Sequence, residues 1–258
     1  MYICILKTTI MLRKALLLFI SIFSFASAKA QSTSFYQEIG VMTGPVFFQG
    51  DFGEKGVVEN TTQNVGVSGS FVYYISMNSN RRGWQEKFKL RLDATAMAVT
   101  LNHYGPSADS DTNFGEKLRA MQSNVKVGSV GAQVEFYPWK TDDYSNSAWT
   151  PYIALGTQMN MFSAKATSAL GPIGNTNTMP TKYVEGFKNS SGSVMSVTVS
   201  LGVRYKLNRS GALILEGQIK QFFSDWIDGM NPDRRTFKEN STQDSSGTLN
   251  IGYIYYLD

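Results

Sequence analysis

Charged side chains recur at alternate positions of several segments that otherwise hold apolar or small residues, and they are the first residues that could do chemistry. Paired carboxylates in a cleft can act as a general acid and a general base. The same charges can instead form a salt-bridge network, because buried ions must be paired and hydrogen-bonded. We expect this structural role and no catalytic residue. The expected members of the network are Glu38, Arg91, Asp93, Glu135, Arg204, Glu216 and Lys220.

The only histidine, His103, lies close in sequence to Ser107, Asp109 and Asp111. A histidine base with a nucleophile and an orienting acid would suit a small membrane hydrolase that cleaves lipid A or peptides. No recognisable spacing links these four residues, so a histidine at the edge of a loop is the simpler interpretation. One histidine without a cysteine partner also makes a zinc site improbable.

Two segments, 50–54 and 225–233, combine acidic residues with glycine and an aromatic residue. Their oxygens could hold calcium, but the spacing is not that of an EF-hand. Tight turns explain the composition equally well, and we expect no metal or cofactor. Trp226 and Met230 are the first candidates for exposed contacts with a protein partner, since aromatic anchors dominate interfaces. Arg234 and Arg235 could instead contact lipopolysaccharide phosphates.

Residues 1–30 have the features of a secretory signal peptide. Arg13 and Lys14 form a basic region, and the apolar run 15–28 is too short for a membrane helix. Ala28-Lys29-Ala30 has the small-x-small pattern of a cleavage site. Cleavage would leave residues 31–258 as one domain and would remove Cys4, the only cysteine, so we expect no disulfide.

The basic character of the whole chain comes from this leader. Residues 1–30 contain four basic residues and no acidic one, so cleavage lowers the 24 basic residues to 20, which equals the number of acidic residues. A neutral mature chain gives no electrostatic reason to bind nucleic acid. We therefore expect no nucleic-acid partner.

Eight segments of the remaining chain alternate between apolar and small or polar residues with the period of a β-strand. In the clearest of them, 193–206, Val197, Val199 and Leu201 alternate with serine, threonine and glycine. The connections between segments are alternately short and long, as in outer-membrane barrels. The predicted strands are 35–48, 64–77, 84–102, 125–139, 149–163, 193–206, 212–223 and 249–258.

This pattern predicts an all-β fold, an eight-stranded antiparallel up-and-down transmembrane β-barrel. Only helices and closed barrels satisfy every backbone group in lipid, and no apolar run after residue 30 is long enough for a membrane helix. Trp84, Trp139 and Trp149 lie beside short turns, where an aromatic girdle is expected. The alternative is a soluble barrel of the lipocalin type, whose apolar face points inward. The small residues and mixed charges of the polar face favour a narrow interior and an apolar exterior.

The last strand resembles the terminal signal that the barrel-assembly machinery of the outer membrane reads. Asn250 and Gly252 are followed by Tyr255 and Leu257 at alternate positions, and Asp258 stands where an aromatic residue is usual. The resemblance implies a bacterial outer-membrane protein that this machinery folds after export.

Several longer segments resemble small outer-membrane barrels of the Bacteroidota. They are Phe35-Tyr36-Gln37-Glu38-Ile39-Gly40, Gly202-Val203-Arg204-Tyr205-Lys206-Leu207, Asp225-Trp226-Ile227-Asp228-Gly229-Met230-Asn231-Pro232 and Gly252-Tyr253-Ile254-Tyr255-Tyr256. The first strand is more loosely similar to the PorG-like barrel of the type IX secretion system, which is thought to tie a periplasmic ring to the outer membrane. The resemblance implies no catalytic residue.

We therefore expect a non-enzymatic component of the outer membrane. Its surroundings would be lipid and lipopolysaccharide, and its loops or turns would bind a membrane or periplasmic protein as an anchor or accessory subunit. A small hydrolase and a narrow pore are the alternatives.

Overall fold

The computed structural model describes residues 35–52, 58–77, 84–139, 149–233, 235–237 and 243–257. The expected signal peptide and Arg234 lie outside these residues. Eight strands form a closed barrel in which each strand pairs antiparallel with its neighbours in sequence, and the first strand also pairs with the last. The predicted eight-stranded up-and-down barrel is confirmed. The strands are β1 Phe35–Gln49, β2 Val65–Met77, β3 Phe88–Asn102, β4 Met121–Phe136, β5 Trp149–Ser168, β6 Ser190–Lys206, β7 Gly211–Phe222 and β8 Ser245–Leu257.

Long and short connections alternate around this barrel. The long ones are 50–64, 103–120, 169–189 and 223–244, and the short ones are 78–87, 137–148 and 207–210. We call the two ends of the barrel the long-loop end and the short-turn end. The long loops contain α1 (Val58–Gln63), α2 (Pro106–Asp109), α3 (Asn113–Ala120) and a 3-10 turn at Thr181–Tyr183.

Several strand boundaries differ from the prediction. The third segment begins with a 3-10 turn at Trp84–Lys87, so its strand starts only at Phe88. At the long-loop end, β4 and β5 pair as far as Met121 and Ser168. The outward positions of these extensions hold polar residues, including Gln122 and Lys126. Because hydrophobic alternation is lost there, the sequence pattern ended too early.

The apolar strand face points outward, as expected. Val67, Leu201 and Ile219 are each more than two-thirds exposed. A continuous apolar outer surface of this kind is unstable in water and suits a lipid environment, and the lipocalin-like alternative is therefore wrong. Within the described parts of the chain, no helix is long and apolar enough to cross a membrane.

Aromatic side chains mark the short-turn end of this outer surface. Trp84, Trp139 and Trp149 are all exposed there. Trp149 packs on Tyr205 of the neighbouring strand, with the ring centroids 4.6 Å apart. The placement is that of an interfacial aromatic girdle.

The barrel interior has two tiers, and the sequence pattern did not separate them. Near the short turns, the interior holds the charged residues together with buried Tyr74, Tyr137 and Tyr152. Near the long loops, the interior is an apolar core to which both strands and loops contribute. Its members include Val46, Phe48, Leu101, Met121, Phe222, Ile227 and Met230.

Candidate functional site

Arg91 is the centre of the charged tier. The side chain lies at an inward position of β3 and is 1% exposed. One guanidinium nitrogen of Arg91 donates to Glu135, 3.1 Å away, and also contacts a Glu216 oxygen. A second nitrogen donates to the other Glu216 oxygen at 3.2 Å. This forked contact with a carboxylate is the geometry for which guanidinium is suited.

Arg204 forms the second half of the same network. Its guanidinium contacts Glu38 and donates to Glu135, the latter at 3.0 Å. The guanidinium also lies 4.1 Å from the centre of the Tyr74 ring, a favourable cation–π position. Lys89 adds a second cation to Glu38. Glu135 therefore bridges two arginines that come from opposite parts of the barrel wall.

Tyrosines and amides satisfy most of the remaining carboxylate oxygens. Tyr137 donates to Glu135, and Tyr152 donates to Glu216 at 2.6 Å. Asp93 accepts hydrogen bonds from Gln133 at 2.7 Å and from Gln158 at 2.5 Å. Charges that are buried and bonded in this way stabilise one arrangement of side chains and have little freedom to exchange protons with a substrate.

Lys220, an expected member of the network, lies outside it, and so does Lys87. Lys220 donates to the Ser129 hydroxyl at 3.0 Å and to the Asn160 amide oxygen at 3.4 Å. Lys87 belongs to the 3-10 turn before β3 and donates to the Pro138 carbonyl at 3.2 Å. The structure thus brings Glu38, Arg91, Asp93, Glu135, Arg204 and Glu216 together and places Lys220 higher in the barrel.

His103 is part of the apolar core at the long-loop end. The imidazole is buried, with its centroid 4.8 Å from that of Phe52 and 5.7 Å from that of Tyr183. Burial, with a smaller effect of the Lys182 charge, lowers the pKa of His103 to about 3. The imidazole is therefore neutral at physiological pH and is a very weak base.

An acidic cluster at the rim of the barrel was not expected as a unit. It consists of Asp51, Asp225, Asp228 and Asp244, which come from the first and last long loops. Asp228 accepts hydrogen bonds from the backbone N–H groups of Asp51 at 2.8 Å and Met230 at 2.7 Å. Asp244 accepts one from Ile227 at 2.8 Å. The bond from Asp51 joins the first loop to the last, and the other two hold the last loop in its own fold.

Gly50 permits the close approach of the two buried carboxyls in the acidic cluster. A Cβ atom on this glycine would lie 2.3 Å from an Asp228 oxygen and 2.8 Å from an Asp244 oxygen. Burial and the neighbouring negative charges raise the pKa of both Asp228 and Asp244 well above the usual range. Among the described residues, no group of three or more His, Cys, Asp or Glu side chains is arranged to hold a metal ion.

The residues expected to contact a partner have different environments. Met230 is fully buried in the apolar core, so the expectation that it is exposed is wrong. Its segment folds back under the loops instead of projecting, and Asn231 donates its N–H to the Gly186 carbonyl at 2.7 Å. Trp226 is half-buried, with the Lys188 ammonium 4.4 Å from its ring centre. Arg235 is exposed.

The described residues of three long loops form an ordered platform over the barrel. Leu118, Met179, Phe187 and Ile227 come from these loops and pack in one core. Lys117 of α3 donates to the Thr176 carbonyl of the next loop at 2.7 Å. On this platform Phe114 and Leu170 are exposed. The sequence pattern did not indicate them, because neither residue lies in an alternating strand segment.

Several solved structures are similar to the chain in fold. One is Ail, the attachment invasion locus protein of Yersinia pestis, whose structure was solved with the heparin analogue sucrose octasulfate. Ail is 12% identical to this chain with a TM-score of 0.46, and the match covers 87% of this chain and 99% of Ail. Neisserial surface protein A is 15% identical with a TM-score of 0.44 and coverages of 87% and 99%. A major outer membrane protein of Thermus thermophilus is 14% identical with a TM-score of 0.48 and coverages of 87% and 100%.

No curated protein matches the sequence. A protein family does: the one described as Domain of unknown function (DUF6089) matches residues 13–250, which is most of the chain.

Proposed function

The chain belongs to the DUF6089 family, and we propose that it is a non-enzymatic outer-membrane barrel whose loops bind a protein partner as an anchor or accessory subunit. In this proposal it reaches the outer membrane after signal-peptide export, and the barrel-assembly machinery folds it. The apolar outer wall and the aromatic side chains at the short-turn end support the location. The long-loop end is then extracellular and the short-turn end periplasmic.

The observation that carries the binding role is the ordered platform of extracellular loops. Mobile loops would lose conformational entropy on binding, whereas loops that are already packed lose less. Phe114 and Leu170 provide exposed apolar side chains on this platform, 47% and 42% exposed. Trp226 and Arg235 remain further candidates at its edge.

The two alternatives have less support. A hydrolase would need an active base, and His103 is buried between aromatic rings with a pKa of about 3. A narrow pore would need an open path, and paired charges and an apolar core fill the described interior. Wild-type protein and the His103→Ala variant should both leave lipid A and peptides uncleaved. Cleavage by the wild type that the variant lacks would favour the hydrolase.

The test of the binding role is capture of the partner from gently solubilised outer membranes, with identification by mass spectrometry. A stoichiometric partner should be recovered with the wild type and lost with the Phe114→Ser/Leu170→Ser variant. Arg209→Ala, which changes the periplasmic turn, is the matched control and should retain the partner. Loss of the partner only with Arg209→Ala would indicate that the interface lies on the periplasmic side. Recovery of the wild-type barrel alone would contradict the accessory role.

The identity of the captured partner tests the resemblance to the PorG-like barrel separately. We propose a place in a secretion machine of the Bacteroidota only on that resemblance. A periplasmic ring protein among the partners would support it, and a partner from another assembly would contradict it.

A further inference from the structure

Charge is almost absent from the outer wall of the barrel. Along the described strands, outward positions are occupied mainly by apolar, aromatic and small residues, and the charged exceptions are Lys126 in β4 and Lys165 in β5. Both side chains are exposed. All other charged strand residues point into the barrel or lie at its short-turn end.

The two lysines are also neighbours. Lys126 pairs with Ser163 and Lys165 pairs with Asn124, so the lysines occupy diagonal positions on adjacent strands. Diagonal neighbours lie about 7–8 Å apart, within reach of two long side chains that converge on one ligand. Two like charges so placed repel each other, and an anion between them would remove this repulsion.

Their height on the barrel identifies the anion. The outer face of β5 is mainly apolar from Trp149 to Met161. At about 3.3 Å per residue and a tilt of about 40°, this stretch crosses about 30 Å, the thickness of the hydrocarbon core. Lys126 and Lys165 follow directly above the apolar stretch on the long-loop side, at the level of the outer-leaflet headgroups.

Polar side chains surround the lysines at the same level. Thr100 donates to Asn124 at 2.8 Å, and Gln122 donates to Asn102 at 3.0 Å. These amides and hydroxyls form a hydrogen-bonding band around the two cations, which suits sugars as well as phosphates.

We propose that Lys126 and Lys165 form a binding site for the phosphate groups of lipid A in the outer leaflet. The inference rests on the proposed location in the outer membrane. It adds a specific lipid contact on one sector of the wall, from β3 to β5, and this contact is separate from the protein-binding platform.

The test measures the retention of lipid A by the full-length barrel after folding into vesicles and transfer to mild detergent, with native mass spectrometry as the readout. The probe is bisphosphorylated lipid A, and dephosphorylated lipid A is the matched ligand. At the usual strength of a lysine near anionic lipid, Lys126→Gln or Lys165→Gln should weaken retention about fivefold, and the double variant about thirtyfold. Arg209→Gln removes one exposed charge at the other end of the barrel and should retain lipid A like the wild type.

The outcomes separate this site from the proposed function. A wild-type protein that does not insert into vesicles contradicts the outer-membrane proposal itself. Equal retention of lipid A by the wild type and by the double variant, with insertion intact, overturns only the lysine site. Equal retention of bisphosphorylated and dephosphorylated lipid A would show that the lysines do not bind its phosphate groups, and it would also overturn the lipid assignment.

Discussion

At the scale of single residues, Arg91 shows how the barrel tolerates buried charge. Its guanidinium contacts Glu135 and Glu216, and Asp93 lies 3.6 Å away. Desolvation of so many ions costs free energy that only close and complete pairing offsets. Such a network fixes one packing arrangement. Loss of one member leaves the charges of its partners buried without an opposite charge.

We predict that Arg91→Met lowers the free energy of unfolding by about 3–5 kcal/mol, because the variant leaves carboxylates buried without their cation. Denaturant unfolding of the barrel in lipid vesicles measures this change. The double variant Arg91→Met/Glu216→Gln removes one of the stranded charges and should recover part of the loss. Equal stability of Arg91→Met and the wild type would contradict a tightly paired network.

The acidic cluster gives a pH-dependent prediction at the same scale. The pKa values of Asp228 and Asp244 are raised in the folded state. A carboxyl with a raised pKa contributes stability that is complete below its unfolded pKa of about 3.9 and is lost as the pH rises through the folded pKa. The rim formed by the first and last loops should therefore loosen as the pH rises above about 4, measured by hydrogen exchange of residues 223–233.

Asn substitutions separate the two carboxyls of this cluster. Asp244 accepts one backbone hydrogen bond, which an amide oxygen can keep while its NH₂ group donates towards Asp228. Asp244→Asn should slow exchange at the higher pH values and flatten the pH dependence. Both oxygens of Asp228 accept from backbone N–H groups, so Asp228→Asn should lose one bond and give no such gain. Faster exchange in Asp244→Asn would mean that the Asp244 charge is needed, as in a cation site.

At the scale of elements, the strands were predictable because period-two alternation is a local property of the chain. The parity of the alternation also placed the inward charges correctly, since Arg91, Glu135 and Arg204 all occupy inward positions. The pairing partners were not predictable. Arg91 and Glu216 are 125 residues apart and meet across the interior of the barrel, and no local pattern specifies contacts between opposite walls.

The loops were the least predictable elements, for a related reason. The composition of segment 225–233 indicated turns. It did not indicate which side chains of these turns other loops would bury. Met230 is buried because other loops pack over it. Asp51 and Asp244 join one cluster only because β1 and β8 close the barrel next to each other.

The seam between β1 and β8 gives a prediction about closure. A Cβ atom on Gly44 would lie 1.9 Å from the Leu249 carbonyl oxygen, whereas one on Gly247 would meet nothing within 4 Å. Gly44→Ala must therefore distort the seam, at a cost of about 1–3 kcal/mol, and Gly247→Ala is its matched control. The fraction of compact barrel on unheated SDS gels should fall for Gly44→Ala and stay unchanged for Gly247→Ala. If Gly44→Ala and the wild type gave the same fraction of compact barrel, the seam would accommodate the added Cβ atom without a loss of stability.

At the scale of the whole molecule, the two interior tiers lie one after the other along the barrel axis. Anything that crosses the barrel must pass both. The charged tier fills the half near the short turns with side chains that hold one another by ion pairs. The apolar tier fills the half near the long loops and continues into those loops through Phe187, Ile227 and Met230. An ion crossing the barrel would have to displace paired charges in one half and enter an apolar core in the other.

This arrangement predicts that the barrel does not conduct ions and that each tier is an independent barrier to them. Wild-type protein in planar bilayers should give no steady ion current, because eight strands leave an interior that side chains can fill. Arg204→Ala removes the guanidinium that contacts Glu38 and Glu135 and should open space in the charged tier. This variant should still give no current, because the apolar tier remains and excludes ions. Insertion of each protein is checked by its heat-dependent gel mobility. Current through Arg204→Ala alone would mean that the charged tier is the only barrier, and current through the wild type would restore the narrow pore as the function.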